Sequence, residues 1–224
     1  MKDTKMKDGA YILYHRKEDN KAVAAQYSLW PTLQNNGEIA DGVLVVCEGR
    51  NLVIAPEEKI LRWSNKRDVA TEEVEATYYA INDWEGKKKT AAIVAHPSFK
   101  KDGKQCAPGY CYKYSRTNAN GAGLTAGQWW LPSAAELVMM WRNFKIINDG
   151  LKLITGATLL QRTWYWSSAE GSASYAWDLD FSNGTLSYWY NKVSYQGQVR
   201  AVSAIIGESF NSLTLQLDTE QKNE

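Results

Sequence analysis

Histidine and cysteine are scarce in this chain, with two of the first (His15, His96) and three of the second (Cys47, Cys106, Cys111). No Cys-x-x-C is present, and two histidines are too few to complete a metal set. A zinc centre is therefore not expected, and no metal ligands or cofactor are assigned. Cys106 and Cys111 stand five apart. They could form a bridge, but buried free thiols are the simpler expectation. Charge of one sign is not in excess either. Lys plus Arg is 26 and Asp plus Glu is 25. This balance argues against an electrostatic nucleic-acid binder and against a polybasic membrane binder. Long apolar runs are absent, so no membrane span is expected. The first eight residues, Met1–Asp8, hold no apolar h-region, so no signal peptide is expected. That fits use without Sec export, or a leader already removed.

Catalytic signatures are missing as well. Gly-x-Ser-x-Gly, Walker A, His-Glu-x-x-His and Gly-x-Gly-x-x-Gly do not occur. No catalytic residues are assigned, and an enzyme is not expected. The one carboxylate pair that suggests acid–base work or calcium binding is Asp178 and Asp180, on one predicted strand face. A solvated or contacting strand face explains them more simply.

What the chain does have is 224 residues, enough for a sizeable core. Its 44% hydrophobic and 23% charged content is that of a folded protein. Runs at 10–14, 42–47 and 52–55 read as strands, the last two joined in a hairpin at Glu48–Asn51. Residues 72–84 carry Val74, Tyr78, Ile81 and Trp84 at helical spacing, behind an acidic first turn, and Gly86 is a stop signal. Thr90–Ala95 reads as a short helix before Pro97, and residues 98–128 as loop. Ser133 and Glu136 form a capping box, followed by an apolar stripe of Leu137, Met140, Trp141, Phe144 and Ile147, with Gly150 suited to the C′ position.

From Trp164 the period drops to two. Trp177, Leu179 and Phe181 alternate with Asp178, Asp180 and Ser182. Asn183-Gly184 predicts a type I′ turn, Leu186–Asn191 a partner strand, and Val199–Ile206 a last strand. The window 163–199 holds ten aromatics against four charged residues, Glu170, Asp178, Asp180 and Lys192. In it Tyr165, Tyr175, Tyr188, Tyr190 and Tyr195 are interleaved with Gly171, Ser172, Ser174, Ser187, Ser194 and Gly197. Tyrosine gives broad amphipathic contact at low entropy cost, and Ser and Gly give adaptable polar contact, as in a paratope. Tyrosines are also good strand formers that cover a sheet face.

The string Trp129-Trp130-Leu131-Pro132-Ser133-Ala134-Ala135-Glu136-Leu137 resembles the W-x-L-P-S-x-x-E segment of bacterial and phage C-type-lectin-like domains. Tyr165-Trp166-Ser167-Ser168-Ala169-Glu170 resembles their Y-W-S-S-x-E segment, and Ala176-Trp177-x-Leu179-x-Phe181-Ser182-x-Gly184 the block after it. Lys192 with Val199-Arg200-Ala201-Val202 resembles the closing strand. Trp84 to Thr90 resembles a D-G-K-x-N-T turn, with Lys89 in place of Asn. The order holds from about residue 70 to 206. Within that superfamily, which also contains formylglycine-generating-enzyme-like and Fibrobacter-type paralogous surface domains, the chain is most similar to variable proteins of diversity-generating retroelements. In these, adenine-directed errors rewrite a C-terminal window on a fixed scaffold.

The resemblance implies a mixed α+β C-type-lectin-like fold, with two helices packed on small twisted antiparallel sheets. It implies a β-rich segment at 1–60, the lectin-like domain at 61–206 with a variable region at about 164–199, and a tail at 207–224. Trp166, Trp177, Leu179, Phe181 and Val202 are expected in the core. The implied contact residues are Tyr165, Gly171, Ser172, Ser174, Tyr175, Asp178, Asp180, Ser187, Tyr188, Tyr190, Ser194, Tyr195 and Gly197. All are reachable from AAC by adenine change. Trp166, Glu170, Trp177 and Lys192 are not, as suits fixed positions, and neither are Trp189, Gln196 and Gln198. The implied partner is a protein or glycan, not nucleic acid and not a membrane interior, with a homo-oligomer possible. The implied place is a bacterial surface or a phage virion. A fixed cell-surface or pilus adhesion module of the same fold is the alternative, and an enzyme using Asp178 and Asp180 a weaker one. Late cysteines of the oxidase branch and the Glu-Pro-Asn, Gln-Pro-Asp and Trp-Asn-Asp motifs of the calcium branch are absent. Neither chemistry is implied.

Overall fold

The computed structural model describes residues 6–205 and the backbone of residues 214–216. In chain order the strands and helices are β1 (Gly9–His15), β2 (Ala22–Ala25), α1 (Trp30–Asn35), β3 (Ala40–Cys47), β4 (Arg50–Arg62), α2 (Thr77–Ile81), α3 (Gly86–Ala95) and α4 (Ala107–Tyr112). There follow β5 (Arg116–Thr117), β6 (Gly123–Leu124), α5 (Ala134–Arg142), α6 (Phe144–Leu151), β7 (Trp164–Glu170), β8 (Ala176–Asp180), β9 (Thr185–Ser187), β10 (Gln196–Ser203) and β11 (Thr214–Gln216). The fold is mixed α+β. Among the described residues no helix is long and apolar enough to cross a membrane.

One nine-stranded sheet, in the order β11-β2-β1-β3-β4-β10-β7-β8-β9, takes the place of the small sheets expected. Its neighbours are antiparallel except at β10–β7 and β11–β2. The expected division at residue 60 falls inside β4, which pairs with β3 through Leu52 and Ile54 and with β10 through Lys59, Ile60 and Arg62. The N-terminal strands and the predicted lectin-like part therefore share one hydrogen-bonded sheet. The expected tail contains β11, set parallel beside β2; its remaining residues lie outside the described ones.

Apolar residues cover both faces of the sheet. One layer gathers Leu13, Val53, Trp63, Trp129 and Trp166; the other gathers Trp30, Ile54, Leu137, Met140 and Phe181. Trp166, Trp177, Leu179, Phe181 and Val202 are all buried, as alternation predicts. Arg200 is buried too, donating to the carbonyls of Ala55 (2.9 Å) and Pro56 (2.8 Å) and pairing with Glu58 (2.6 Å), which ties β10 to β4. Cys106 and Cys111 are buried free thiols.

The capping box at Ser133 forms as the spacing predicts. Glu136 N donates to Ser133 Oγ at 3.3 Å, and Ser133 N donates to Glu136 Oε2 at 2.7 Å. The helix after it breaks at Asn143 into α5 and α6, and Asn143 Nδ2 donates back to Met139 O. Gly150 is not the C′ residue. It lies in the last turn of α6 because a β-carbon there would strike the Tyr27 ring.

Other local expectations shift for tertiary reasons. The helix expected over 72–84 shrinks to α2, since Val74 N donates to Glu170 O (2.7 Å) and Val74 O accepts from Trp177 Nε1 (2.8 Å). Tyr78 and Ile81 are exposed rather than part of an apolar stripe. Gly86 starts α3 instead of ending a helix, because a β-carbon there would collide with the Glu136 carboxylate. The predicted loop 98–128 contains α4, which begins with Pro108 in its first turn and packs Gly109 against Gly103. The turn at Asn183-Gly184 is not type I′. Only Gly184 has positive φ (79°), and four residues separate β8 from β9. The expected strand 186–191 is cut to β9.

The packing of α3 on the capping box yields a direct test. Gly86→Ala should cost about 2–3 kcal/mol by overpacking and loss of cap geometry, read from the urea midpoint. A change under about 0.5 kcal/mol, within the range of a neutral surface substitution, would show that the contact is not tight.

Candidate functional site

The Tyr- and Ser-rich window is built on β7, β8 and β9. Cross-strand pairing places Trp164 beside Asp180, Trp166 beside Asp178, and Asp178 beside Ser187. Directly paired residues share a face, so these side chains lie together on one side of the sheet. The opposite side carries Tyr165, Leu179 and Leu186.

Two loops extend this face. In residues 171–175, Ser172 Oγ accepts from Ser174 N (3.2 Å) and Tyr175 N (3.1 Å), closing a tight turn. In residues 188–195, the Asn191 side chain accepts from Val193 N (3.1 Å) and Ser194 Oγ (3.3 Å). The loops are joined to each other by a bridge between Tyr175 and Asn191 and by Lys192 N donating to Ser174 O at 2.9 Å.

Beneath them lies a fully buried ion pair. Lys192 Nζ stands 2.6 Å from Glu170 Oε1, both side chains sealed from solvent. Lys192 also donates to Asp68 O (3.0 Å) and sits 4.5 Å from the Trp63 ring centre. The other Glu170 oxygen accepts from Ala70 N, Thr71 N and Thr71 Oγ1, at 2.8–3.0 Å. Burial pushes the Lys192 ammonium below its usual range, opposed by the Glu170 charge. The pair thus takes two acceptors and a ring face on the ammonium and four donors on the carboxylate, which ties the loops together at their root.

Aromatic rings form the exposed part. Trp189 is 76% exposed, Tyr195 50% and Tyr175 40%. Tyr190 stacks on Trp164 at 4.1 Å and 12°, and Tyr195 meets Tyr190 at 5.3 Å. Tyr188 lies on Trp177 at 4.7 Å, and its ring is nearly parallel to that of Trp189 (5°, centres 5.7 Å apart). Tyr188, Trp189, Tyr190 and Tyr195 are each oriented by at least one ring neighbour.

Ten of the thirteen expected contact residues reach this surface or its margin: Gly171, Ser172, Ser174, Tyr175, Asp180, Ser187, Tyr188, Tyr190, Ser194 and Tyr195. Gly171 acts by packing, since a β-carbon there would lie 2.9 Å from Tyr188. Three expected residues do not reach the surface. Tyr165 is core: it packs on Phe181 at 4.5 Å, and its hydroxyl donates to Glu58 (2.9 Å) and accepts from Gln161 N (2.7 Å). Gly197 is buried under the Trp164 ring, which leaves no room for a β-carbon. Asp178 is only 1% exposed and accepts from Ser187 Oγ, at 3.1 Å to each oxygen.

Trp189, the most exposed large apolar side chain, was not among the expected contacts. The signal for it was the Tyr-Trp-Tyr triplet 188–190 beyond the alternating strand. Desolvation pushes the Asp178 carboxyl up to about 7, with Asp180 adding to the rise and the Ser187 hydrogen bond opposing it. Asp180 spends one oxygen on Ser182 N (2.8 Å) inside its turn. The two aspartates are thus committed separately, one to the half-buried Ser187 hydroxyl and one to a turn. Among the described residues no group of three or more His, Cys, Asp or Glu is placed to hold a metal ion.

Two results should follow from this packing. A Gly197→Ala substitution should displace Trp164 and Tyr190 together, shifting tryptophan emission to the red and costing about 1–3 kcal/mol; an unchanged spectrum and stability would refute the close contact. Asp178 holds its proton in the native state well above the unfolded value, so its stabilising contribution is present at acid pH and is lost as pH rises toward and through 7. Glu136, pushed up to about 7 by burial, contributes in the same direction. Between pH 5 and 8 the wild type should therefore lose on the order of 2 kcal/mol more than Asp178→Asn, measured by denaturant titration. Equal losses would remove Asp178 from the account.

No family model matches the sequence, and no curated protein matches it. Among solved structures, a fimbrial protein from Bacteroides ovatus ATCC 8483 is similar at a TM-score of 0.48 and 12% identity, over 88% of this chain and 49% of that one. The chain thus spans about half the length of that protein.

Proposed function

We propose that this protein is a non-enzymatic binding module whose ligand docks on the face formed by Tyr175, Tyr188, Trp189, Tyr190 and Tyr195. The observation that carries this is an exposed set of rings rooted in a fully buried Glu170–Lys192 pair. An indole left 76% in water and touching the Tyr188 ring contributes little to packing among the described residues. The flanking Ser172, Ser174, Ser194 and Asn191 offer hydroxyls and an amide around the rings, a chemistry suited to a protein or glycan surface.

Two versions of this function differ in whether the face is fixed. Trp189 stands at its most exposed point and is not reachable from AAC, while Tyr165, Asp178 and Gly197 are buried. These features favour a fixed adhesion module displayed at a cell surface. The retroelement version retains ten reachable positions on or beside the face, set on an unreachable frame of Trp166, Glu170, Trp177 and Lys192. It remains the second proposal because of the sequence resemblance. Sequencing the 3′ end of the gene across its source population separates them. An invariant window supports the fixed module; substitutions confined to adenines at those ten codons support the diversified one.

Binding itself is tested on printed arrays of glycans and of cell-surface proteins. Trp189→Ala and Tyr195→Ala should each weaken the best wild-type signal by about 2 kcal/mol while melting at the wild-type temperature. Retained binding in both variants would exclude this face.

A further inference from the structure

A second surface, apart from the aromatic face, carries several exposed cations although the whole chain has a net charge of only +1. The end of β4 and its exit turn meet the segment around α4. Arg62 bridges to Cys106, and Asn65 donates to Asp102 through its backbone (3.1 Å) and its side chain (3.2 Å). Lys100 and Lys113 line one slot beside these segments, and Arg62, Lys66, Lys101 and Lys104 each lie within two residues of one of its lining residues; all six are exposed. None of these six side chains makes an ion pair or hydrogen bond among the described residues, whereas the buried cations Lys89, Lys192 and Arg200 are all paired. Of the acids on these segments, Asp102 is buried and engaged by Asn65, and Asp68 is half-buried and accepts from Ser98 Oγ. Like charges held together cost stability unless something opposes them.

The patch surrounds a narrow slot of ≈ 40 Å³. Trp63, Ile93, Phe99 and Pro108 line it, and Lys100 and Lys113 stand at its rim. Such a volume holds about three waters, or one small aliphatic side chain.

We propose that this face docks an acidic polypeptide segment, with one aliphatic side chain of that segment seated in the slot. The chemistry selects this partner. Free lysines spread over two segments match carboxylates spaced along an extended chain. A sulfated or uronic polysaccharide has no alkyl branch to fill the slot. An acyl chain is too large for it, and among the described residues no amphipathic helix lies on this face to enter a bilayer. Single-stranded nucleic acid requires exposed stacking rings, and the rings here form a closed floor.

The probe is a fluorescein-labelled synthetic peptide of repeated Glu-Glu-Val triplets, read by anisotropy with the full chain. It should bind at about 50 mM salt and weaken roughly tenfold by about 300 mM. Replacing Val with Ser in the peptide should cost about fivefold, a comparison made on the wild-type protein alone. Lys100→Glu/Lys104→Glu/Lys113→Glu, all at exposed positions, should weaken binding at least about tenfold with an unchanged melting temperature. Val94→Phe, which fills the slot from its edge, should erase the Val-over-Ser preference while the Ser peptide still binds. Trp189→Ala should leave peptide binding unaltered, which separates this surface from the aromatic face. The proposal is overturned by any of four results: no binding, equal binding of the Val and Ser peptides, an unaffected triple variant, or tighter binding of dextran sulfate or phosphatidylserine vesicles than of the Val peptide.

Discussion

The buried Glu170–Lys192 pair is the contact on which the exposed face depends. Two charges removed from water are stable together only when their attraction and their remaining hydrogen-bonding capacity are both satisfied. Here the carboxylate takes up the backbone of Ala70 and Thr71, and the ammonium takes up Asp68 O above the Trp63 ring. The pair therefore joins the loop 68–74, the end of β7 and the loop 188–195 at a single point. Loss of either partner would strand a charge in the interior, so the geometry is enforced by the penalty for breaking it as much as by its attraction. Loops on such a root present rings set by their neighbours, which under the proposed role would lower the ordering cost of binding.

The long β4 strand sets the second constraint. By pairing with β3 on one side and β10 on the other, it makes the N-terminal strands part of the same sheet that carries the aromatic face. Arg200, buried in β10, donates to the β4 backbone and pairs with Glu58, whose carboxylate also receives the Tyr165 hydroxyl. One Arg–Glu–Tyr network thus links β4, β10 and β7. A tyrosine that resembled its surface neighbours in sequence was drawn into the core by it.

Short-range features were legible in the sequence to a high degree. The capping box at Ser133 and the burial of Trp166, Trp177, Leu179, Phe181 and Val202 follow from spacings of a few residues, and they stand as expected. Where local rules failed, a distant neighbour was the cause. Gly86 reads as a stop, yet it opens a helix because the Glu136 carboxylate lies against it; Gly150 reads as a cap, yet it makes room for Tyr27. Val74 reads as helical, yet its backbone is claimed by Glu170 and Trp177. Pro108-Gly109 reads as loop, yet it begins α4 where the chain must pass close to Gly103.

The sequence by itself determined the alternating strands and the capped helix, which depend on periodicity and local hydrogen bonding, and the concentration of Tyr and Ser in one window; the α+β class was what the resemblance implied. Tertiary structure alone decided which of those residues face water. Tyr165, Asp178 and Gly197 share the composition of their neighbours, and only strand pairing and ring packing separate them from Tyr175, Trp189 and Tyr195. It also decided that a chain of nearly balanced charge would set Lys100 and Lys113, without an ion pair among the described residues, beside one apolar slot, since net charge is a sum and a surface patch is an arrangement in space.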